Sequence, residues 1–207
     1  MNGEIDVMET VNPVPGSSKT QSQMVLHTSK GCDMADVARK QTGKTLSTSC
    51  VNTTNNNAGC GVSAGDGSFG TPYNSAGGGL VALELRNDGI RMWQWTRSTI
   101  PVGVQTGGAA PNPSTWGVAT ADFPNTDCNI GEHFRNQSII ININLCGVWA
   151  GSESVYSENC KLICSFIPSQ ANRCAGPGKC TDYVANNAAA FTDAFWEFGG
   201  FSVYHAT

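Results

Sequence analysis

The cysteines place the strongest constraint on what this chain can fold into. Nine of them occur in 207 residues, and their spacing lacks the paired C-x-x-C motifs that hold structural zinc. Disulfide bonds in a secreted protein are therefore the better interpretation. Two glycosylation sequons, Asn52-Thr53-Thr54 and Asn136-Gln137-Ser138, agree weakly with a secretory route. The odd number leaves one thiol unpaired, unless part of the sequence is absent from the mature protein.

The composition favours an all-β chain that is rich in turns. Only 14% of the residues are charged and 24 are glycine, which is typical of extracellular β proteins. The net charge of −4, without a basic run, argues against nucleic acid and anionic membranes as partners. No apolar stretch approaches the roughly 20 residues of a membrane span. Met1 is followed directly by Asn-Gly-Glu, so the sequence shows no signal peptide.

Three carboxylates lie within six residues near the start of the chain, at Glu4, Asp6 and Glu9. Side chains alternate along a strand, so Glu4 and Asp6 share one face. Glu9 joins them only if a β-bulge between Asp6 and Glu9 absorbs one residue, and such bulges are common beside active sites. Retaining glycosidases use two carboxyl groups about 5–5.5 Å apart. The alternative is an ordinary strand with a solvated acidic face.

The sequence Glu-Ile-Asp-Val-Met-Glu resembles the bulge-containing signature of glycoside hydrolase family 16, and its flanks resemble the fungal laminarinases of that family. The resemblance implies a β-jelly-roll sandwich of the concanavalin A-like type and an endo-β-1,3(4)-glucanase. It assigns Glu4 as the nucleophile, Asp6 as its supporting acid and Glu9 as the general acid/base. It requires no metal and no organic cofactor. The expected partner is a neutral β-glucan, bound by a monomer.

The same resemblance implies that residues 1–207 form the C-terminal portion of a single catalytic domain. Relatives carry about half of their jelly roll before the catalytic strand, whereas this chain begins on that strand. We therefore expect the N-terminal strands to be missing and the full-length parent to be secreted. The chain expressed alone should be unstable or inactive, because its sheets would keep open edges.

His27 lies in a segment, Gln23–Thr28, that alternates weakly and resembles the Met-x-Leu-His-Thr strand of the laminarinases. We expect His27 to hydrogen-bond the sugar or Glu9, although a structurally satisfied strand histidine is an equal alternative. The polar region that follows contains Asn57-Ala58-Gly59-Cys60-Gly61-Val62, which resembles a family motif. It therefore predicts an ordered loop instead of a low-complexity linker.

Trp93 and Trp116 are candidate sugar-stacking residues. Trp93 belongs to a predicted hairpin, Leu80–Arg86 and Ile90–Thr96, joined by Asn87-Asp88-Gly89. Trp116 precedes the run Phe123–Gly131, which resembles a laminarinase run. Aromatic rings can stack on pyranose rings, but packing in the core is the commoner role of strand tryptophans.

The clearest predicted strand is Ser138–Cys146, with one unbroken aliphatic face that should be core. Asn142 and Asn144 lie on its other face and would bind substrate in the cleft. Further along, a short helix is predicted for Ala188–Phe195 and a final strand for Phe201–Tyr204. Residues 158–173 depart from the family pattern, which suggests either an extra disulfide loop or a retained intron.

Two other functions remain open. A non-catalytic carbohydrate-binding jelly roll would not need three intact acids. A glucan transglycosylase would use the same residues and differ in whether water or sugar reaches the intermediate.

Overall fold

A computed structural model of the chain describes residues 2–11, 21–104, 111–157 and 178–205. These residues fall into two compact units. The first unit contains residues 2–10, 21–104, 111–138 and 202–205. The second unit contains residue 11 together with residues 139–157 and 178–201.

Antiparallel strands dominate the first unit. The described residues contain β1 (Glu4–Glu9), β2 (Gln23–His27), β3 (Lys44–Thr45), β4 (Cys60–Ser63), β5 (Gly79–Arg86), β6 (Gly89–Thr96) and β7 (Ala121–Pro124). One sheet has the order β1-β2-β4-β3 and the other has the order β5-β6-β7. Regular helices are short: α1 (Gly70–Ser75), α2 (Ile130–His133) and α3 (Cys180–Asn186), with 3₁₀ turns at Asn55–Asn57, Pro113–Thr115 and Ala188–Phe191.

The two sheets share one core, because alternate residues of their strands point towards each other. Met24 and Leu26 of β2 are fully buried, and so are Met92 of β6 and Phe123 of β7. Each such side chain contributes about 1.5–3 kcal/mol to stability on burial. Residues on the opposite faces are also buried in places, among them Val25 of β2 and Trp93 of β6.

The predicted hairpin is confirmed. β5 and β6 pair in register from Gly79 opposite Thr96 to Arg86 opposite Gly89. Gly89 therefore belongs to the strand, and the connecting turn consists of Asn87 and Asp88.

Disulfides are confirmed as the use of the cysteines in the described residues. The bonded pairs are Cys32–Cys128, Cys50–Cys60 and Cys146–Cys180. Cys32–Cys128 closes a sequence separation of 96 residues, for which loop-closure entropy predicts about 4–5 kcal/mol of stabilisation. The other three cysteines, and the segment 158–173, lie outside the described residues.

The predicted strand at 138–146 is wrong. Within the described part of the chain, no strand pairs with this segment, and Ile139 and Ile143 are 66% and 46% exposed. Alternation only makes a segment suitable for a sheet, and a strand also needs a neighbour that supplies hydrogen bonds. The final strand predicted at 201–204 is unpaired for the same reason. The helix predicted at 188–195 is a 3₁₀ turn that ends at Phe191.

The described residues include no helix that is both long and apolar enough to cross a membrane.

Candidate active site

The candidate site is built on β1 and its pairing with β2. Glu4 lies opposite His27 and Asp6 opposite Val25, but Glu9 lies opposite Gln23, so the register shifts between Asp6 and Glu9. This shift is the β-bulge that the spacing of the acids predicts. Ile5 and Val7 pack against the core, so Glu4 and Asp6 project from the other face of the strand.

The bulge brings Glu9 back to the face of Asp6. A carboxylate oxygen of Asp6, one of Glu9 and a ring nitrogen of His27 all lie within 4.8 Å of one another. Glu4 is exposed, whereas Asp6 and Glu9 are half-buried. The structure therefore gathers Glu4, Asp6, Glu9 and His27, four of the residues that the sequence singled out.

His27 is almost fully buried and both of its ring nitrogens have partners. Nε2 lies 3.3 Å from Oδ2 of Asp6, and Nδ1 lies 3.0 Å from Oδ1 of Asn57. Burial alone lowers the pKa of His27, but the hydrogen bond and charge of Asp6, with Asn57 and Glu4, outweigh it and leave the pKa raised. Of the two carboxyl groups of Asp6 and Glu9, the one that pairs with His27 is thus that of Asp6.

The surroundings of Glu9 shift the pKa of its carboxyl group upwards. Its burial raises the pKa of the carboxyl group above 4.5, and the negative charges of Asp6 and Glu4 raise it further. The charge of His27 partly opposes this rise. A raised pKa keeps a carboxyl group protonated under conditions in which an exposed one is ionised.

The same three side chains also bear on the question of a metal. In the described segments, Asp6, Glu9 and His27 are the one grouping of His, Cys, Asp and Glu with the geometry to surround a cation. The ion pair between His27 and Asp6 accounts for their closeness. A displacement carried out by two carboxyl groups requires no ion.

Trp93 and Trp116 lie in a packed aromatic cluster with Trp95. Trp93 is 3% exposed and Trp116 is 8% exposed. The ring of Trp116 stands nearly perpendicular to that of Trp93, with 5.2 Å between their centroids. The expectation that these two rings stack on sugar is corrected accordingly, because burial leaves neither a free face and fits the packing alternative.

Asn142 and Asn144 belong to the second unit, where both are exposed. The backbone carbonyl of Asn142 accepts a hydrogen bond from Nε1 of Trp196. Their assignment to substrate binding remains a prediction.

Asn57 and Gly59 are functional candidates that sequence reasoning missed. Gly59 has φ +64, and a Cβ atom there would lie 2.6 Å from the carbonyl oxygen of Leu26 and 2.7 Å from Cε1 of His27. Only glycine lets the loop approach β2 this closely. The run of asparagines before it was a usable signal, because asparagine is favoured where the backbone is left-handed.

An open depression of about 1110 Å³ adjoins the Cys32–Cys128 disulfide, and its described lining does not include these acids. Its described lining includes Lys30, Asp33 and Asp127 but no aromatic ring. It offers no stacking surface for a sugar, so the acids of β1 define the candidate site.

A comparison with protein families gives a match over nearly the whole chain. The model for the XgeA-like catalytic domain of glycoside hydrolase family 16 matches residues 1–204. A probable glycosidase of Schizosaccharomyces pombe is 40% identical over 98% of the chain, and a probable endo-1,3(4)-β-glucanase of Neosartorya fischeri is 36% identical over 98%. The chain spans 43% and 28% of the lengths of these relatives.

Solved structures agree. Laminarinase 16A of Phanerochaete chrysosporium, a family 16 enzyme solved with β-glucans in its donor and acceptor sites, is 38% identical, with a TM-score of 0.76. An elongating family 16 β-1,3-glucosyltransferase is 31% identical, with a TM-score of 0.70. Each covers 93% of this chain, which spans 59% of each neighbour. The antiparallel sheets and these neighbours confirm the predicted all-β jelly-roll class.

Proposed function

Because the chain belongs to the XgeA-like branch of glycoside hydrolase family 16, we propose that its acidic strand hydrolyses β-1,3- or mixed β-1,3/1,4-linked glucan internally, with retention of configuration. One observation carries the proposal. The bulge in β1 sets Glu4, Asp6 and Glu9 on one face, with Glu4 exposed and Glu9 half-buried. This gives two carboxyl groups two different environments on one strand, which is what a double displacement requires.

In the first step, Glu4 attacks the anomeric carbon while Glu9 gives its proton to the departing glycosidic oxygen. A glycosyl ester forms on Glu4 and the glycosidic bond breaks. In the second step, Glu9 takes a proton from water, whose oxygen attacks the anomeric carbon and releases Glu4.

The charges around Glu9 suit this change of role. The negative charge of Glu4 is one cause of the raised pKa of Glu9. Esterification removes that charge, so the pKa of Glu9 falls and the group is prepared to act as a base. Asp6, with Oδ2 3.3 Å from Nε2 of His27, holds the imidazole in place.

The substrate class rests on those relatives that are named endo-1,3(4)-β-glucanases. The sparse charge of the chain suits a neutral polysaccharide. We further propose that the full-length protein is extracellular, as its disulfides favour, and that it acts as a monomer.

The test compares Glu4→Gln with the wild type in the full-length gene product, since the chain spans less than half of its curated relatives. Reducing sugar released from laminarin should fall at least 1000-fold, roughly the loss expected when a nucleophile is removed. Asp36→Asn, an exposed carboxylate elsewhere in the first unit, serves as the control. Equal release by Glu4→Gln and Asp36→Asn would sink the assignment. Proton NMR of the first product reports the anomeric configuration.

Transglycosylation is a second candidate, which the similarity to a β-1,3-glucosyltransferase favours. Chromatography of products separates the two: chains longer than the substrate indicate transfer, and shorter chains alone indicate hydrolysis.

A further inference from the structure

We propose that Asn57 is a positioning residue of the active site, whose side-chain carbonyl holds His27 as an imidazolium against Asp6. This inference deepens the proposed function and rests on it. The loop that carries Asn57 is distant in sequence, and it would hold in place the positive charge of His27 that faces Glu9.

Both nitrogens of the His27 ring face an oxygen atom. Nδ1 of His27 faces Oδ1 of Asn57 at 3.0 Å, and Nε2 faces Oδ2 of Asp6 at 3.3 Å. With Oδ1 of Asn57 facing the ring, both partners are acceptors, and the two contacts are hydrogen bonds only if both ring nitrogens donate. Only the doubly protonated imidazole carries two donors. A neutral ring would set a lone pair against one of the two oxygens.

The loop that carries Asn57 has a constrained backbone. Asn55, Asn56 and Asn57 have φ values of 49°, 54° and 60°, three consecutive left-handed residues. Each costs about 1–2 kcal/mol in an L-residue, although asparagine bears the conformation better than most. Strain of this kind persists where the surrounding structure enforces it and clusters at functional sites.

The loop is fastened on both sides of Asn57. The Cys50–Cys60 disulfide closes it, and the backbone N–H of Asn57 donates to the carbonyl of Thr54 at 2.9 Å. Gly59 presses against β2 so closely that a Cβ atom there would collide with His27. The carbonyl of Asn57 is therefore presented in a fixed position before any substrate arrives.

The charged groups around the ring of His27 are carboxylates. The charged groups that face His27 come from β1: Asp6, Glu4 directly opposite, and Glu9 beyond the bulge. The adjoining strand β4 carries no charged residue, and neither does the 55–57 turn. The imidazolium is thus the positive charge that balances the carboxylates. If it is lost, Glu9 retains its proton to a higher pH.

The test measures the titration of His27 by NMR of histidine labelled with carbon-13 at Cε1, in the full-length gene product. The His27 signal is assigned by its absence from His27→Gln. Asn57→Ala should lower the titration midpoint by about 1 pH unit, a tenfold change in the protonation equilibrium. Asn56→Ala removes an asparagine from the same left-handed run without touching His27, and it should leave the midpoint within about 0.2 of the wild type.

The pH profile of kcat/KM gives a second readout. The basic limb should move to higher pH in Asn57→Ala and stay in place in Asn56→Ala. A merely structural role would lower activity evenly at all pH values. If Asn57→Ala does not fold, Asn57→Asp keeps the shape and adds a charge, so the His27 midpoint should rise.

The proposal is overturned if Asn57→Ala titrates like Asn56→Ala, or if Asn57→Asp fails to raise the midpoint. Either result would mean that the side chain of Asn57 does not hold the ring of His27 in its protonated form. Because the NMR measurement involves no glucan, it remains decisive even if Glu4→Gln shows the catalytic assignment to be wrong.

Discussion

Replacing Gly59 by alanine should destabilise the protein by about 2–5 kcal/mol. At φ +64 an alanine costs about 1–2 kcal/mol in the left-handed region. Its Cβ would also lie 2.6 Å from the backbone oxygen of Leu26, and a backbone atom cannot rotate away. Overpacking of this kind adds about 1–3 kcal/mol. The loop should relieve the overlap by moving off β2, which takes the side chain of Asn57 away from His27.

The matched control is Gly78→Ala. Gly78 has nearly the same φ, +70, but nothing lies within 4 Å of a Cβ atom placed there. Gly78→Ala should therefore be destabilised only by the cost of placing an alanine in the left-handed region. Urea unfolding followed by tryptophan fluorescence measures both variants, and their difference isolates the collision at about 1–3 kcal/mol. Equal losses for Gly59→Ala and Gly78→Ala would refute the close approach of the loop.

Two more predictions concern titration and the aromatic cluster. The pKa values of Glu9 and His27 are raised in the folded state, so the folded protein binds protons that the unfolded chain releases. The stability that each group contributes is complete below its pKa in the unfolded chain. It is lost as pH rises through its pKa in the folded protein. The urea midpoint of unfolding should fall with rising pH over that range, and it should fall less steeply in Glu9→Gln and His27→Gln. Parallel plots of the midpoint against pH for the wild type and both variants would contradict this. In the cluster, Nε1 of Trp116 is buried without a hydrogen-bond partner among the described residues, whereas Nε1 of Trp93 donates to the carbonyl of Gly117. Trp116→Phe should therefore cost less stability than Trp93→Phe in the same urea assay, because only the second change removes a hydrogen bond. The reverse order would count against it.

The acidic strand β1 and its bulge were predictable because their information is local. The interval between Asp6 and Glu9 is one residue too long for regular alternation, and a bulge is the direct way to restore a shared face. The β5–β6 hairpin was predictable for a similar reason, since strands and turn are contiguous. The register of the β5–β6 pair follows from the short turn between its strands.

What failed depended on partners that periodicity does not specify. The aliphatic face at Ile139–Leu145 has the pattern of a core strand, but no described strand pairs with it. The contact between Asn57 and His27 spans 30 residues of chain and passes through a left-handed turn. Trp93 and Trp116 were misjudged for the same reason. The spacing of a residue predicts the face of the strand on which its ring lies, but it does not predict which residues cover that face.

The Cys32–Cys128 bond has a consequence for how the protein is made. At roughly 5–20 residues per second, translation needs about 5–20 s to add the 96 residues between the two cysteines. During that interval Cys50 and Cys60 are already available, and thiols pair on a scale of seconds in an oxidising compartment. Cys32 is therefore exposed to two wrong partners before its right one exists. Production of this protein should depend on a disulfide isomerase, and hosts that lack one should accumulate chains in which the Asn57 loop is cross-linked to the wrong cysteine.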